Sequence, residues 1–416
     1  MIPVSRSVTS TSDPESSDPP GSGESRAPVA GWLFRSPDRL PTLFGLSGEE
    51  RLRRTLTQAG VTEISVQEAR GAFSAPRVAA FRCDRVFDAR LVRALIGADD
   101  TILVDSAGVP VAAQVRCSAW EPTRNLLAGE TDLSRADLAL RVVAPDDLVA
   151  AYDHQLRRRS PALLGSLRDE DARALEKRLF DASYKGITDF VTKFVWPVPA
   201  LWAVRGCAGA RISPNAVTAA SWALTILALW LFSAGRFEAG LIAAWAMTFL
   251  DTVDGKLARV TLRSSRIGHV LDHGLDLLHP LFWYAAWAWA LPPAPWLAAA
   301  VWVTLVGYWV HRGVEGLFLL LFKIEIHSWR RLDAGFRLIT TRRNPNLVLL
   351  TVGTLAGSPS AGFAAVALWT AASIAFHLAR IGKAGLMMWR GRPVRSWYEE
   401  AEAPGGVDRR AAAGSI

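Results

Sequence analysis

Between Phe249 and Pro280 the chain places four aspartates at fixed intervals in a stretch otherwise apolar enough to enter a membrane. The run reads Asp251-Thr-Val-Asp254-Gly255-Lys-Leu-Ala258-Arg259, eight residues, then Gly268-x3-Asp272-x3-Asp276. A charge near the centre of a bilayer costs about 3 kcal/mol or more, so carboxylates there are candidates for function. Asp251, Asp254, Gly255 and Ala258 fall at i, i+3, i+4 and i+7, one stripe of a helix. Asp272 and Asp276 fall at i, i+4 of a second helix. Two helices that each offer two carboxylates from one face could converge on a shared divalent-cation site.

The rest of the chain changes character midway. The first half carries charges throughout and reads as soluble, whereas apolar runs rich in Trp, Leu and Ala follow from Ile212. The mean hydropathy of +0.18 averages these unlike halves. Trp283, Tyr284, Trp287, Trp289, Trp296 and Trp302 crowd the ends of the later runs, as interfacial anchors do.

The net charge of +8 is informative once placed. Arg259, Arg263 and Arg266 fill one connector, Lys323 to Arg343 another, and Arg380 to Arg395 follow the last span. The connectors between them are nearly uncharged, which is the positive-inside pattern. Charge that tracks membrane sidedness argues against a nucleic-acid partner. Three cysteines without metal-ligand spacing give no disulfide framework, so the soluble part is expected in a reducing compartment. No apolar core segment marks a cleavable signal at the N-terminus.

Residues 1–28 read as a disordered tail rich in Ser, Pro and Gly. Residues 29–165 read as an α/β domain with a parallel sheet. Helices are expected over Glu50–Ala59, Ala89–Ile96, Asp146–Arg159 and Asp169–Phe180, and strands near Thr62–Val66, Ala79–Arg82, Thr101–Val104 and Val109–Arg116. Residues 166–211 form a linker with an interfacial helix, 212–390 an all-α membrane domain, and 391–416 a cytoplasmic tail. Six transmembrane helices are expected, roughly 214–234, 237–258, 267–291, 295–322, 345–358 and 361–383. Ser213-Pro214 supplies a capping hydroxyl followed by proline at the first helical position. An even count leaves both termini on the cytoplasmic side.

The aspartate run is similar, at every position, to the signature of the CDP-alcohol phosphatidyltransferases, integral membrane enzymes that displace CMP from a CDP-activated lipid by an alcohol. The resemblance covers the second half of the chain. It implies that Asp251, Asp254 and Asp272 hold Mg2+ or Mn2+, and that Asp276 is the base for the acceptor hydroxyl. It also implies that Gly255, Ala258, Arg259 and Gly268 accommodate the CDP group. The physics agrees, because a pyrophosphate donor needs its charge neutralised and clustered carboxylates hold hard cations. The bland alternative for the small residues is helix packing alone. His269, His273 and His279 flank the motif without an assigned role. His311, Arg312 and Glu315 on the fourth span are read either as structural or as acceptor-site lining.

Arg337, Arg342 and Arg343 introduce the fifth span and could bind the phosphate of a phosphorylated alcohol, because guanidinium pairs with phosphate oxygens bidentately. Anchoring the loop to anionic headgroups is the alternative.

The domain order resembles archaeal fusions of an inositol phosphate cytidylyltransferase with a di-myo-inositol phosphate phosphate synthase. Thr42-Leu-Phe-Gly45, Arg51-Leu-Arg-Arg-Thr, Cys83-Asp84-Arg-Val-Phe87 and Asp105 carry that likeness, as does the linker Lys185-Gly-Ile-Thr188-Asp189-Phe. The glycine-rich nucleotide loop is missing, since Val29-Ala-Gly-Trp-Leu-Phe has one glycine, so the N-terminal domain is expected to be a degenerate, nucleotidyltransferase-like scaffold. Asp84 and Asp105 are expected as turn or strand-end residues rather than ligands. The expected function is transfer from a CDP-diacylglycerol-like donor to a polar alcohol, phosphorylated or not, in phospholipid biosynthesis, by a homodimer in the lipid bilayer. Transfer from CDP-inositol, a transporter and a non-catalytic membrane scaffold are the alternatives.

Overall fold

The computed structural model describes residues 27–66, 73–131, 133, 139–153, 156–263 and 266–400; for 266–276 and 399–400 it describes backbone alone. The expected disordered tail falls outside these residues, apart from 27 and 28.

The N-terminal part begins with β1 (Val29–Phe34), α1 (Gly48–Gln58), β2 (Ile64–Val66), β3 (Arg77–Arg82), β4 (Arg85–Phe87) and α2 (Ala89–Ile96). Next come β5 (Thr101–Val104), β6 (Pro110–Arg116), α3 (Trp120–Ala128), β7 (Arg141–Val143) and α4 (Pro145–Leu148). The hairpin β8 (Tyr152–Asp153) and β9 (Arg158–Arg159) and the strand β10 (Leu164–Ser166) complete it. One six-stranded sheet runs in the order β2-β1-β3-β6-β5-β7. Successive strand side chains alternate in direction, so the sheet buries both faces. Leu33, Phe81 and Leu103 pack with Leu56 of α1 and Leu95 of α2, whereas Trp32, Ala80 and Ile102 pack with Trp120 and Leu127 of α3.

Two expectations need correction. The sheet is mixed, because β6 runs antiparallel to both β3 and β5. The turn between β5 and β6 is too short for a parallel crossover. Asp105 closes it by accepting from the amides of Ala107 and Val109. The helix expected over Asp146–Arg159 is only the single turn α4 followed by the β8–β9 hairpin. Tyr152 is buried there and stacks on Tyr398 with ring centroids 4.9 Å apart, a tertiary contact that overrides the local helical pattern.

The helices α5 (Ala172–Ala182) and α6 (Pro197–Gly209) lead into α7 (Pro214–Ser233), α8 (Phe237–Val260), α9 (Arg266–Trp289) and α10 (Leu297–Phe322). After them come α11 (Arg331–Phe336), α12 (Arg343–Leu355), α13 (Pro359–Trp389) and α14 (Trp397–Glu400). Ser213 caps α7 by accepting from the amide of Ala216, with Pro214 in the first turn. Among the described residues, α7, α10 and α13 are long and apolar enough to cross a membrane. The 13 residues of α12 reach only ~20 Å, and α8 carries the charges of the motif. Where α12 crosses α13, a Cβ on Gly353 would lie 2.4 Å from the Cα of Gly362. Only glycine allows that approach.

The two halves meet at the C-terminal end of α8. Arg51 and Arg54 of α1 donate to the carbonyls of Val260 and Thr261 at 2.7 and 2.8 Å, and Gln58 donates to that of Leu262 at 3.1 Å. The last turn of a helix leaves such carbonyls without partners, and α1 supplies them. The β1–α1 connection adds Phe44, which packs against Ala200, Val204 and Ala208 of α6.

Candidate active site

The helical period puts Asp251, Asp254, Gly255 and Ala258 on one side of α8, and contacts of the residues beside that stripe fix its rotation. Lys256 is buried, donates to the carbonyl of Ser183 at 3.0 Å and lies 3.3 Å from the Tyr184 ring centroid. Arg259 donates to the same carbonyl at 3.0 Å. Asp251 pairs with Arg343 of α12 at 2.5 Å. Asp254 is 6% exposed and accepts from the Thr218 hydroxyl of α7 at 2.7 Å.

Asp251, Thr252, Gly255, Lys256 and Arg259 border a cavity of about 480 Å³. A Cβ on Gly255 would meet no atom within 4 Å, so its backbone is bare to that space. Across the cavity stand Lys185, Arg312, Arg337, Arg342 and Arg343. Lys185, Thr188, Arg312, Arg337 and Arg342 also line an adjoining cavity of about 400 Å³. The α8 side thus offers the Asp251 carboxylate together with Lys256 and Arg259, Asp254 stands behind the wall on Thr218, and the cations around the space suit it to an anionic ligand.

The three expected acceptor arginines are not equivalent. Arg342 is committed to Glu315, with Nη2 2.6 Å from both carboxylate oxygens. Arg343 is committed to Asp251. Arg337 makes no ion pair among the described residues, and its buried Nη1 has no hydrogen-bond partner. Burial, reinforced by Arg342, pushes its pKa down to about 9. At neutral pH it remains a cation facing the cavity. Burial and the nearby cations Arg259 and Arg157 lower Lys185 as well. Burial pushes the Asp189 carboxyl up, but the Thr192 amide, Asn344 and Arg337 outweigh it and hold the group below the ordinary aspartate value.

Asp251 and Asp254 offer hard oxygen donors one turn apart, which fits Mg2+ or Mn2+. Gly268, Asp272 and Asp276 lie on the described backbone of α9, but their side chains lie outside the described residues. Leu277, the residue after Asp276, borders the cavity, so the chain delivers the end of the motif to its wall. Ala258 is half-buried on α8. His311 is buried behind Glu315 and borders neither cavity, whereas Arg312 and Glu315 do.

Sequence reasoning missed Lys256, Lys185 and Asp189 as parts of the site. Lys256 sits inside the motif at a position the signature leaves free. Lys185 and Asp189 were visible only as elements of the linker. Asp84 and Asp105 are turn residues: Arg82 and Arg168 pair with Asp84, and Arg85 with Asp105.

Residues 211–376 match the family model of the CDP-alcohol phosphatidyltransferases. A protein of Rubrobacter xylanophilus described as a bifunctional IPC transferase and DIPP synthase is 30% identical over 158 residues, 37% of this chain and 34% of that protein. The chain thus spans about a third of the length of the curated relative it matches. The phosphatidylinositol phosphate synthase of Mycobacterium tuberculosis, solved in its apo form, is 20% identical, with a TM-score of 0.32 over 43% of this chain and 94% of that one.

Proposed function

We propose, from a C-terminal half that carries a CDP-alcohol phosphatidyltransferase domain, that this chain transfers a phosphoryl-linked group from a CDP-activated lipid to a phosphorylated polar alcohol. The observation that carries the choice of acceptor is Arg337, whose buried Nη1 has no partner and which faces a cavity whose α8 side bears Asp251. In the reaction, the acceptor hydroxyl oxygen forms a new bond to the phosphorus that bears the lipid. The bridging bond of the pyrophosphate breaks, CMP leaves with its electron pair, and the hydroxyl proton passes to Asp276. Bound Mg2+ or Mn2+, held by Asp251, Asp254 and Asp272, supplies charge neutralisation for the pyrophosphate. Gly255 leaves room for the nucleotide against α8, Arg259 faces its phosphates, and Arg337 fixes the acceptor phosphate. The rotation of α8 is set by Lys256 on the Ser183 carbonyl.

The reading includes six membrane spans, with the N-terminal domain and the site on the cytoplasmic side, and a homodimer. The N-terminal domain, residues 29–165, serves as a scaffold without cytidylyl transfer. In support, the β1–α1 connection places Phe44 against α6. The test is CMP release by purified protein with Mn2+ or Mg2+ and CDP-diacylglycerol, screening glycerol phosphate, inositol phosphate, inositol and serine. Asp276→Asn is the inactive control. Metal-dependent release with a phosphorylated acceptor, absent from the variant, is expected; release only with unphosphorylated alcohols would sink the acceptor assignment. The similarity to the DIPP synthase protein favours a second reading, a CDP-inositol donor. Turnover with that donor and silence with CDP-diacylglycerol would select it.

A further inference from the structure

Away from the aspartates, three histidines and a glutamate meet inside the helical half. His311 and Glu315 are one turn apart on α10, His377 lies on α13, and His327 comes from the short turn Ile326–Ser328 that leads into α11. One donor atom each of His311, Glu315 and His377 lies within 4.8 Å of the other two. His327 Nε2 is 2.8 Å from Glu315 Oε1, and its ring centroid is 5.2 Å from that of His377.

The histidines are buried, His377 completely. Yet neither nitrogen of His377 has a hydrogen-bond partner, nor has Nδ1 of His327. Interiors rarely leave buried polar atoms unmatched. An imidazole with two unmatched nitrogens, beside two more imidazoles and a carboxylate, has the lone pairs to satisfy a cation and little else nearby to satisfy it.

We propose that His311, Glu315, His327 and His377 form a closed site for a divalent transition metal of borderline softness, Zn2+ foremost, separate from the aspartate site. Three imidazoles and one carboxylate match the donor types and the number of a four-coordinate zinc site. Mg2+ and Ca2+, which take oxygen ligands, do not suit it. The outer contacts are those that orient ligands in such sites. Arg342 grips the Glu315 carboxylate, and the Thr340 hydroxyl lies 3.4 Å from His311 Nε2, leaving Nδ1 3.8 Å from Glu315 Oε1. The 400 Å³ cavity bordered by Glu315 and His327 gives a route of entry. Four protein ligands leave no position for substrate. The metal's role is therefore to tie α10, α13 and the turn before α11 together, steadying the segment that presents Arg337.

The test uses full-length, tag-free protein in detergent, stripped with a chelator, loaded with Zn2+ or Co2+ and desalted. Metal is measured by mass spectrometry and the Co2+ form by visible absorption. One retained equivalent and a tetrahedral Co2+ spectrum are expected. His377→Ala and His327→Gln should each cut retention at least tenfold, and Asp251→Asn with Asp254→Asn should keep it. No retained Zn2+ or Co2+ in the unmodified protein, or an octahedral spectrum, would overturn the site, as would full retention in both histidine variants. The unmodified protein decides the matter even if a variant misfolds, and the readout does not depend on CMP release.

Discussion

At the scale of single residues, the site turns on which cations are already spent. Arg342 and Arg343 are neighbours in sequence, yet one holds Glu315 and the other Asp251. Arg337 holds neither. Replacing Arg337 with Gln should raise KM for a phosphorylated acceptor about tenfold, the ~1.4 kcal/mol that is the low end for a hydrogen bond to a charged group. KM for the CDP donor should stay within about twofold of the original. Initial rates of CMP release with each substrate varied in turn check this, and equal effects on both would place Arg337 elsewhere. Thiol chemistry separates two cysteines in the N-terminal half. Burial pushes Cys83 up to about 12, while Cys117 is exposed. Maleimide should therefore label Cys117 in the folded protein and reach Cys83 only in denaturant, as peptide mapping would show.

At the scale of elements, α8 is a charged helix held from three directions: by α1 at its C-terminal end, by Ser183 and Tyr184 along one side, and by α7 through Thr218. Converting Arg51 and Arg54 to Met should strand the carbonyls of Val260 and Thr261, at about 1–3 kcal/mol for each unsatisfied group. A lower unfolding midpoint in detergent and slower CMP release are the expected readings. Gly353→Leu should force α12 away from Gly362 and likewise lower the midpoint, whereas Gly255→Ala, which faces open space, should leave it unchanged.

The element scale also shows what the sequence could and could not disclose. The i, i+3, i+4 pattern was enough to place Asp251, Asp254 and Gly255 on one stripe, because that geometry is local. The partner of Lys256 is Ser183, 73 residues away, and no local pattern announces it. Tyr152 similarly left the helical reading of its segment for a ring stack on Tyr398. The antiparallel β6 was in principle legible from the short turn after Asp105, since so few residues allow only a hairpin.

At the scale of the whole molecule, the N-terminal α/β part is joined to the helical part through the end of α8, the Phe44 plug, the Tyr152–Tyr398 stack and the Arg157–Glu325 ion pair. A chain lacking residues 1–170 would lose both Phe44 and the donors of α1. Its helical half should unfold at a lower temperature than the full chain and release CMP more slowly. Adding the missing segment as a separate polypeptide should recover part of both losses, because the contacts are non-covalent.

The cap on α8 also bears on how the protein is made. A chain grows from its N-terminus, at roughly 5–20 residues per second, and α1 precedes Val260 by about 200 residues. The N-terminal part, whose last strand ends at Ser166, therefore has roughly 5–20 s to fold before the ribosome delivers the end of α8. When those carbonyls emerge, the side chains that receive them already exist in their final geometry. The first half of the chain acts during biogenesis as a template, setting where the most highly charged helix of the bundle must stop.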